Sequence, residues 1–183
     1  MKKQIIFLIT FLISLCGFGQ EISKLSYDSK ILEGTWVAVS GNKSYEITFV
    51  KGTIYFNLKK IKTTTEAIFG SIKYLEDNKV IKSVDIKGLG SNPISVSYSG
   101  IDRKFEIRYS EFGNGKRING KVKFDIDADG TTAHWYSLYK TRLIDTENYT
   151  PKEDFDIPKE LTFTKKPSTK SQSNQPAPHF EFP

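Results

Sequence analysis

Three aspartates at alternate positions, Asp125, Asp127 and Asp129, are followed directly by Gly130 in the segment FDIDADGTTAHW. This D-x-D-x-D-G spacing opens an EF-hand calcium loop, in which the twelfth position supplies a bidentate glutamate. The twelfth position here is Tyr136, and the flanking segments KVKF and HWYSLY alternate like strands rather than helices. We therefore interpret DADG as a hairpin turn, because Asp and Gly favour turn conformations. A weak calcium loop at residues 125–130 is kept as a minor alternative.

Side chains that carry out enzymatic chemistry are scarce in this sequence. It has two histidines, His134 and His179, and one cysteine, Cys16, which lies in an apolar N-terminal segment. The remaining chain thus lacks the histidine and cysteine sets that the usual zinc sites and thiol catalysis need. No G-x-S-x-G occurs, and the segments GLG and GNGK neither complete a phosphate loop nor open a helix. The sequence predicts a protein that is not an enzyme and has no metal site or cofactor. A catalytic carboxylate pair of the glycosidase kind is left open, because no residues single one out.

The N-terminal segment MKKQIIFLITFLISLCGFGQ has the three parts of a secretory signal peptide. Two lysines precede an apolar run over residues 5–16, and Gly17 and Gly19 occupy the small-residue positions of a cleavage site. The run is shorter than the roughly 20 residues that a transmembrane helix needs. We predict cleavage between Gly19 and Gln20 and export to the periplasm or the extracellular space, without stable insertion in the membrane.

Cleavage at this site changes the composition of the chain. It removes Cys16, and the leucine before this cysteine disfavours the alternative of a lipid anchor, which needs a small residue there. It also removes two lysines, so the net charge falls from +6 to +4. The other basic residues are scattered between apolar ones, which argues against a nucleic-acid-binding face. We predict one domain over residues 20–166 and a disordered tail, rich in Pro, Ser and Gln, over residues 167–183.

Apolar and polar residues alternate through the predicted domain, in the segments YEITFV, IYFNLK, ISVSYS, KFEIRYS and KVKFDID. Successive side chains of a strand point to opposite faces, so each segment buries one face and exposes the other. Turn-forming pairs such as Asn-Gly and Asp-Gly lie between the segments. The pattern predicts an all-β fold of about eight to nine antiparallel strands, as an up-and-down barrel or a β-sandwich. The late segment LTFTK is predicted to close against the first strand.

The segment KILEGTW leads through a short turn into the first strong strand and resembles the G-x-W signature of the lipocalin and calycin proteins, here Gly34 and Trp36. In that family the tryptophan packs across the closed base of the barrel, and a basic residue near the end of the last strand often lies over it. The resemblance implies this role for Arg142. Residues 1–166 also resemble an uncharacterised group of small exported Bacteroidota proteins, through the leader, L-x-G-T-W, the HWYSL strand and P-x-x-L-x-F-T-K. That resemblance implies a fold and a compartment and carries no activity.

The G-x-W signature and the inward-facing aromatic residues support a lipocalin-like barrel that binds one small hydrophobic or amphipathic ligand. The aromatic residues that would line its cavity are Phe49, Phe56, Tyr98, Phe105, Tyr109 and Phe124. Small barrels either hold one ligand or are filled by side chains, and the same aromatics would serve a solid core. The alternative is an envelope accessory or protein-interaction module with a filled barrel and no small ligand. An exposed aromatic patch would favour that alternative, and a deep, partly empty cavity would favour the carrier.

Overall fold

The computed structural model of this chain describes residues 22–23, 25, 28–58, 61–86, 93–98, 103–113, 116–141, 150–167 and 179–182. Within them the protein is all-β, as the alternation predicts, with a single turn of 3₁₀ helix at Ser29–Ile31. The strands are β1 (Ile22–Ser23), β2 (Gly34–Ser40), β3 (Lys43–Leu58), β4 (Ile61–Glu76), β5 (Lys79–Val84), β6 (Ile94–Tyr98), β7 (Lys104–Gly113), β8 (Lys116–Ile126), β9 (Thr132–Lys140), β10 (Thr150–Pro151), β11 (Leu161–Lys165) and β12 (His179–Phe182). In the described part of the chain, no helix has the length and apolar character needed to cross a bilayer. The predicted signal peptide lies outside the described residues.

Eight antiparallel strands close into a barrel in the order β2-β3-β4-β6-β7-β8-β9-β11. The segment LTFTK forms β11, which pairs with β2 and completes the circle, as predicted. The extra strand β5 forms a hairpin with the second half of β4, whereas β6 pairs with β4 at Ile68–Gly70. Closure gives every barrel strand two neighbours, so the barrel prediction is confirmed and the β-sandwich alternative is wrong.

The hairpin of β3 and β4 is much longer than the barrel needs. The two strands pair over 16 residues each without a register shift, but β2 covers only residues 43–49 of β3. Residues 51–58 and 61–67 therefore continue past the last barrel pairing, and we call this part of the hairpin the arm. β1 pairs in parallel with the β4 side of the arm, and β12 pairs in parallel with its β3 side. β12 lies in the segment whose composition predicts disorder, and residues 168–178 of that segment are outside the described residues.

Inward-facing side chains of the barrel strands form one core. The core members with no exposed surface include Trp36, Ile47, Ile68, Ile94, Ile107, Tyr109, Phe124, Trp135 and Phe163. Two segments outside the strands close the barrel ends. The 3₁₀ turn and buried Leu32 lie at one end, which we call the base. Residues 152–157, with buried Ile157, lie at the other end, and we call this segment the plug.

Candidate functional site

The structure places four of the six predicted ligand-lining aromatics in the barrel core. Phe49, Phe105, Tyr109 and Phe124 are each at most 3% exposed. Phe56 lies on the arm instead, because the segments YEITFV and IYFNLK form one strand rather than two. Unbroken alternation along β3 then puts Phe56 on the face opposite to Phe49. The sixth residue ends β6, and the side chain of Tyr98 lies outside the part of the chain that is described.

The core aromatics pack on one another as a continuous column along the barrel. The contacting pairs, with the distances between their ring centroids, are Trp36–Phe124 (5.4 Å), Phe49–Phe124 (5.5 Å), Phe124–Phe163 (5.8 Å), Trp135–Phe163 (6.2 Å), Tyr109–Trp135 (5.3 Å) and Tyr109–Phe155 (5.7 Å). Separations in this range are those of aromatic rings in direct contact. The column therefore reaches from the base to the plug, and side chains fill the space along it.

Trp36 lies at the base, where its indole Nε1 donates a hydrogen bond to the carbonyl oxygen of Leu32 at 2.8 Å. Lys165 ends β11 and holds its Nζ 5.1 Å from the centre of the Trp36 ring. The same ammonium donates to the carbonyl oxygen of Ile31 at 2.7 Å, and burial lowers the pKa of Lys165. Lys165 thus occupies the place over the tryptophan that the resemblance implies for Arg142. Arg142 itself lies outside the described residues.

Gly34, the glycine of the same motif, begins β2 with a φ of +111°. Residues other than glycine disfavour this region of backbone conformation, because they carry a Cβ atom. A Cβ atom at this position would lie 3.4 Å from Cε of Lys165. The glycine therefore meets a backbone requirement and leaves room for the lysine stem beside it. The sequence signal for Lys165 is its place at the end of LTFTK, the strand predicted to close the barrel.

Glu111 of β7 carries a carboxylate near the plug, at the opposite end of the barrel, and is 1% exposed. Its Oε1 accepts hydrogen bonds from the hydroxyl of Tyr74 at 3.0 Å and from that of Tyr109 at 2.7 Å. Burial, reinforced by the nearby carboxylate, raises the pKa of Tyr74. Burial likewise raises the pKa of Tyr109, so both hydroxyls keep their protons. Glu111 was not predicted from the sequence, although the alternation of KFEIRYSEFG places it on the inward face with the aromatics.

The plug supplies the other partners of this carboxylate. Lys152 donates to Oε2 of Glu111 at 2.7 Å, and the backbone N–H of Asp156 donates to the same oxygen at 2.8 Å. The backbone N–H of Ile157 donates to Oε1 at 3.2 Å. Asp156 also pairs with Lys82 of β5 at 2.8 Å, which ties the plug to the extra strand. A buried carboxylate needs such donors because leaving it unpaired is costly, and here all of them belong to the protein itself.

The aspartate-rich segment forms the turn between β8 and β9, as interpreted from the sequence. Oδ1 of Asp129 accepts from the backbone N–H of Thr131 at 2.8 Å, and Oδ2 accepts from the Thr131 hydroxyl at 2.7 Å. These hydrogen bonds lower the pKa of Asp129 to about 2. The other two aspartates have separate partners: Asp125 with Tyr136 at 2.7 Å and Asp127 with His134 at 3.3 Å. Among the described residues, no group of three or more His, Cys, Asp or Glu side chains is placed to hold a metal ion.

The described outer surface has several exposed apolar side chains and carries clefts. Four large apolar side chains of the described surface are more than half exposed: Val39, Val80, Ile81 and Tyr139. One of them, Tyr139, is aromatic, so these four side chains do not form an aromatic patch. Two clefts lie on the outside of the barrel, with volumes of about 520 Å³ and about 480 Å³. The first separates β5 from the plug, and the second is lined by the cationic residues Arg108, Arg117 and Lys121.

Residues 1–89 match the model of a family of unknown function, DUF6705. No curated protein and no solved structure matches the chain. The matched part runs from the predicted leader past the end of β5, and its family description names no activity.

Proposed function

We propose that this chain is an exported, non-enzymatic, lipocalin-like barrel whose interior is a solid core and which binds its partner on the outer surface. The observation that carries the proposal is the aromatic column between Trp36 and Phe155. A lipophilic ligand in the barrel would need the volume that these rings occupy. Export is supported by the leader of residues 1–19, with its short apolar run and small residues before Gln20.

The surroundings of Glu111 support a role without catalysis. An acid or base catalyst must come within hydrogen-bond reach of a substrate atom. The carboxylate of Glu111 is buried and accepts from two tyrosine hydroxyls, one lysine and two backbone N–H groups. Its geometry fits the attachment of the plug to the barrel better than chemistry on a bound molecule.

The competing function is carriage of a small hydrophobic ligand inside the barrel. It requires the plug to leave the barrel end and the ring of Phe155 to separate from Tyr109. It also requires Phe124, which contacts three rings, to move aside. The two functions make opposite predictions for a small apolar probe, because a filled core has no space for one and a carrier does.

Binding of fluorobenzene, followed by ¹⁹F NMR, tests the proposal. We expect no bound signal with the wild type and a saturable bound signal with Phe124→Ala, because deleting a buried ring leaves an apolar cavity that accepts benzene-sized molecules. The substitution should lower the free energy of unfolding by about 3–5 kcal/mol.

Val80→Ala, on the exposed extra strand, is the control and should behave as the wild type. If Phe124→Ala does not fold, Phe124→Leu provides a smaller cavity. Saturable binding to the wild type would overturn the proposal.

A further inference from the structure

We propose that the cleft lined by Arg108, Arg117 and Lys121 binds a small organic anion through a carboxylate, phosphate or sulfate group. This inference rests on the proposed function, since it identifies the outer site at which a filled barrel would bind. The cleft lies across β6, β7 and β8 on the outside of the barrel, and Ile54 of the arm and Phe69 of β4 also line it. Nothing in the sequence analysis pointed to it.

The pairing register of the strands brings the cationic residues together. Ser95 of β6 is opposite Arg108 of β7, and Arg108 is opposite Lys121 of β8. Ser110 and Asn119 form the next outward-facing pair of β7 and β8. The pair between them, Tyr109 and Gly120, is buried in the core, so alternation turns the polar set outward. Residues that are scattered in the sequence therefore form one cationic wall.

Asn119 orients this wall. Its Oδ1 accepts hydrogen bonds from Nε of Arg117 at 2.9 Å and from the Ser110 hydroxyl at 2.8 Å. Because an arginine Nε only donates, the amide oxygen must face Arg117, which leaves the amide N–H₂ as a donor on the other side. The Arg117 guanidinium also lies 5.0 Å from the centre of the Phe112 ring. Arg117 is thus held from two sides before any ligand arrives, which limits the entropy that binding costs.

The charges in the cleft are only partly compensated. Lys121 pairs with Glu106 at 2.6 Å, and this hydrogen bond raises the pKa of Lys121, whereas the nearby charge of Arg108 opposes the rise. In the described part of the chain, neither Arg108 nor Arg117 pairs with a carboxylate. Arg108 and Lys121 repel one another, and an anion bound beside them relieves this repulsion. Guanidinium groups match carboxylate and phosphate oxygens with paired N–H donors.

The size of the cleft selects a small molecule. Its volume of about 480 Å³ falls in the range of roughly 300–1,000 Å³ that small-molecule sites have. The hydroxyl and amide groups of Ser95, Ser110, Asn119 and Thr141 add hydrogen-bonding capacity beside the cations. The ligands that fit this cleft share an anionic group attached to a polar molecule with at most a few rings. A phosphorylated or sulfated molecule and a carboxylated sugar both have it.

The test is an ¹⁵N NMR titration of residues 20–183 at constant ionic strength, with inorganic phosphate, inorganic sulfate, glucuronate and neutral methyl glucoside as probes. We expect saturable shifts for the three anions at the amides of Arg108, Arg117, Asn119 and Lys121, and none for methyl glucoside. The double variant Arg108→Gln with Arg117→Gln should weaken anion binding at least about tenfold, the equivalent of one charge-assisted hydrogen bond. The anion that saturates at the lowest concentration identifies the ligand group.

The control removes the same charge elsewhere. Lys43→Gln with Lys73→Gln changes two exposed lysines of β3 and β4 and should leave the titration unchanged. Shifts that never saturate, or that fall equally in both double variants, would reflect general charge screening and would overturn the inference. Those outcomes would not contradict the filled barrel. Saturable fluorobenzene binding to the wild type would contradict the proposed function, whatever the result of the anion titration.

Discussion

Asp129 shows how single residues of this chain serve its turns. Its carboxylate accepts from the backbone N–H groups of Thr131 and Thr132 and from the Thr131 hydroxyl. Gly130 beside it has a φ of +71°, as the Asp-Gly turn requires. The D-x-D-x-D spacing that resembles a calcium loop is therefore explained by local turn hydrogen bonds and strand alternation. The sequence indicated this through Tyr136, which stands where a calcium loop has glutamate.

The Asp129 hydrogen bonds predict a pH dependence of stability. The pKa of this carboxyl falls from 3.8 to about 2 on folding, so its contribution is fully present above pH 3.8 and is lost as the pH falls through about 2. Asp129→Asn removes the titrating group. We expect the difference in unfolding free energy between wild type and variant to be constant above pH 3.8 and to shrink below it. Urea unfolding followed by tryptophan fluorescence measures this, and parallel pH profiles would refute it.

Lys165 illustrates what residue-level prediction could and could not give. The resemblance implies a basic residue over Trp36 and gives this role to Arg142, and Lys165 was not among the expected residues. Placing Lys165 over Trp36 requires knowing which strand lies beside β2. The register of β11 against β2 sets Lys165 opposite Trp36, and registers follow from side-chain packing that a sequence does not display.

Among the elements, the plug was the hardest to predict. Its segment KEDFDI has no strand or helix period, so the sequence indicated only a loop. Its place is set by Phe155 and Ile157, which pack against the core, and by its hydrogen bonds to Glu111. These contacts join residues more than 40 positions apart, and such pairings depend on the closed barrel. The long β3 was also missed, because YEITFV and IYFNLK were predicted as two separate segments.

Glu111→Gln tests whether the plug is held as described. The amide nitrogen of glutamine would face N–H or O–H donors, and Lys152 would lose its buried partner. We expect the free energy of unfolding to fall by about 3 kcal/mol, as when one partner of a buried charged pair is removed. The measurement is urea unfolding followed by circular dichroism.

The matched control for this prediction is Glu106→Gln on the same strand. Glu106 pairs with Lys121 on the partly exposed outer face. A pair of that kind contributes less than about 1 kcal/mol. Equal losses for the two variants would contradict the role given to Glu111.

At the scale of the whole molecule, the sequence predicted the barrel but did not show whether its interior is filled or empty. Alternation and hairpin turns predicted antiparallel strands, and LTFTK closing on the first strand made the circle. Whether the interior is empty depends on how the volumes of the inward side chains add up and on what covers the ends. The same phenylalanines and tyrosines would line a cavity in a wider barrel. Contacts such as those of Phe124 with Trp36 and Phe163 show how the inward rings pack against one another, and only the structure gives them.

Native mass spectrometry of the processed chain, purified without detergent from its own host, tests the filled barrel most directly. The account predicts the mass of residues 20–183 with no addition other than an anion from the outer cleft, since a core packed from Trp36 to Phe155 has no room for cargo. Running the double variant of Arg108 and Arg117 beside the wild type separates an anion in the outer cleft from cargo inside the barrel. A reproducible extra mass that persists in this variant and disappears on denaturation would contradict the account.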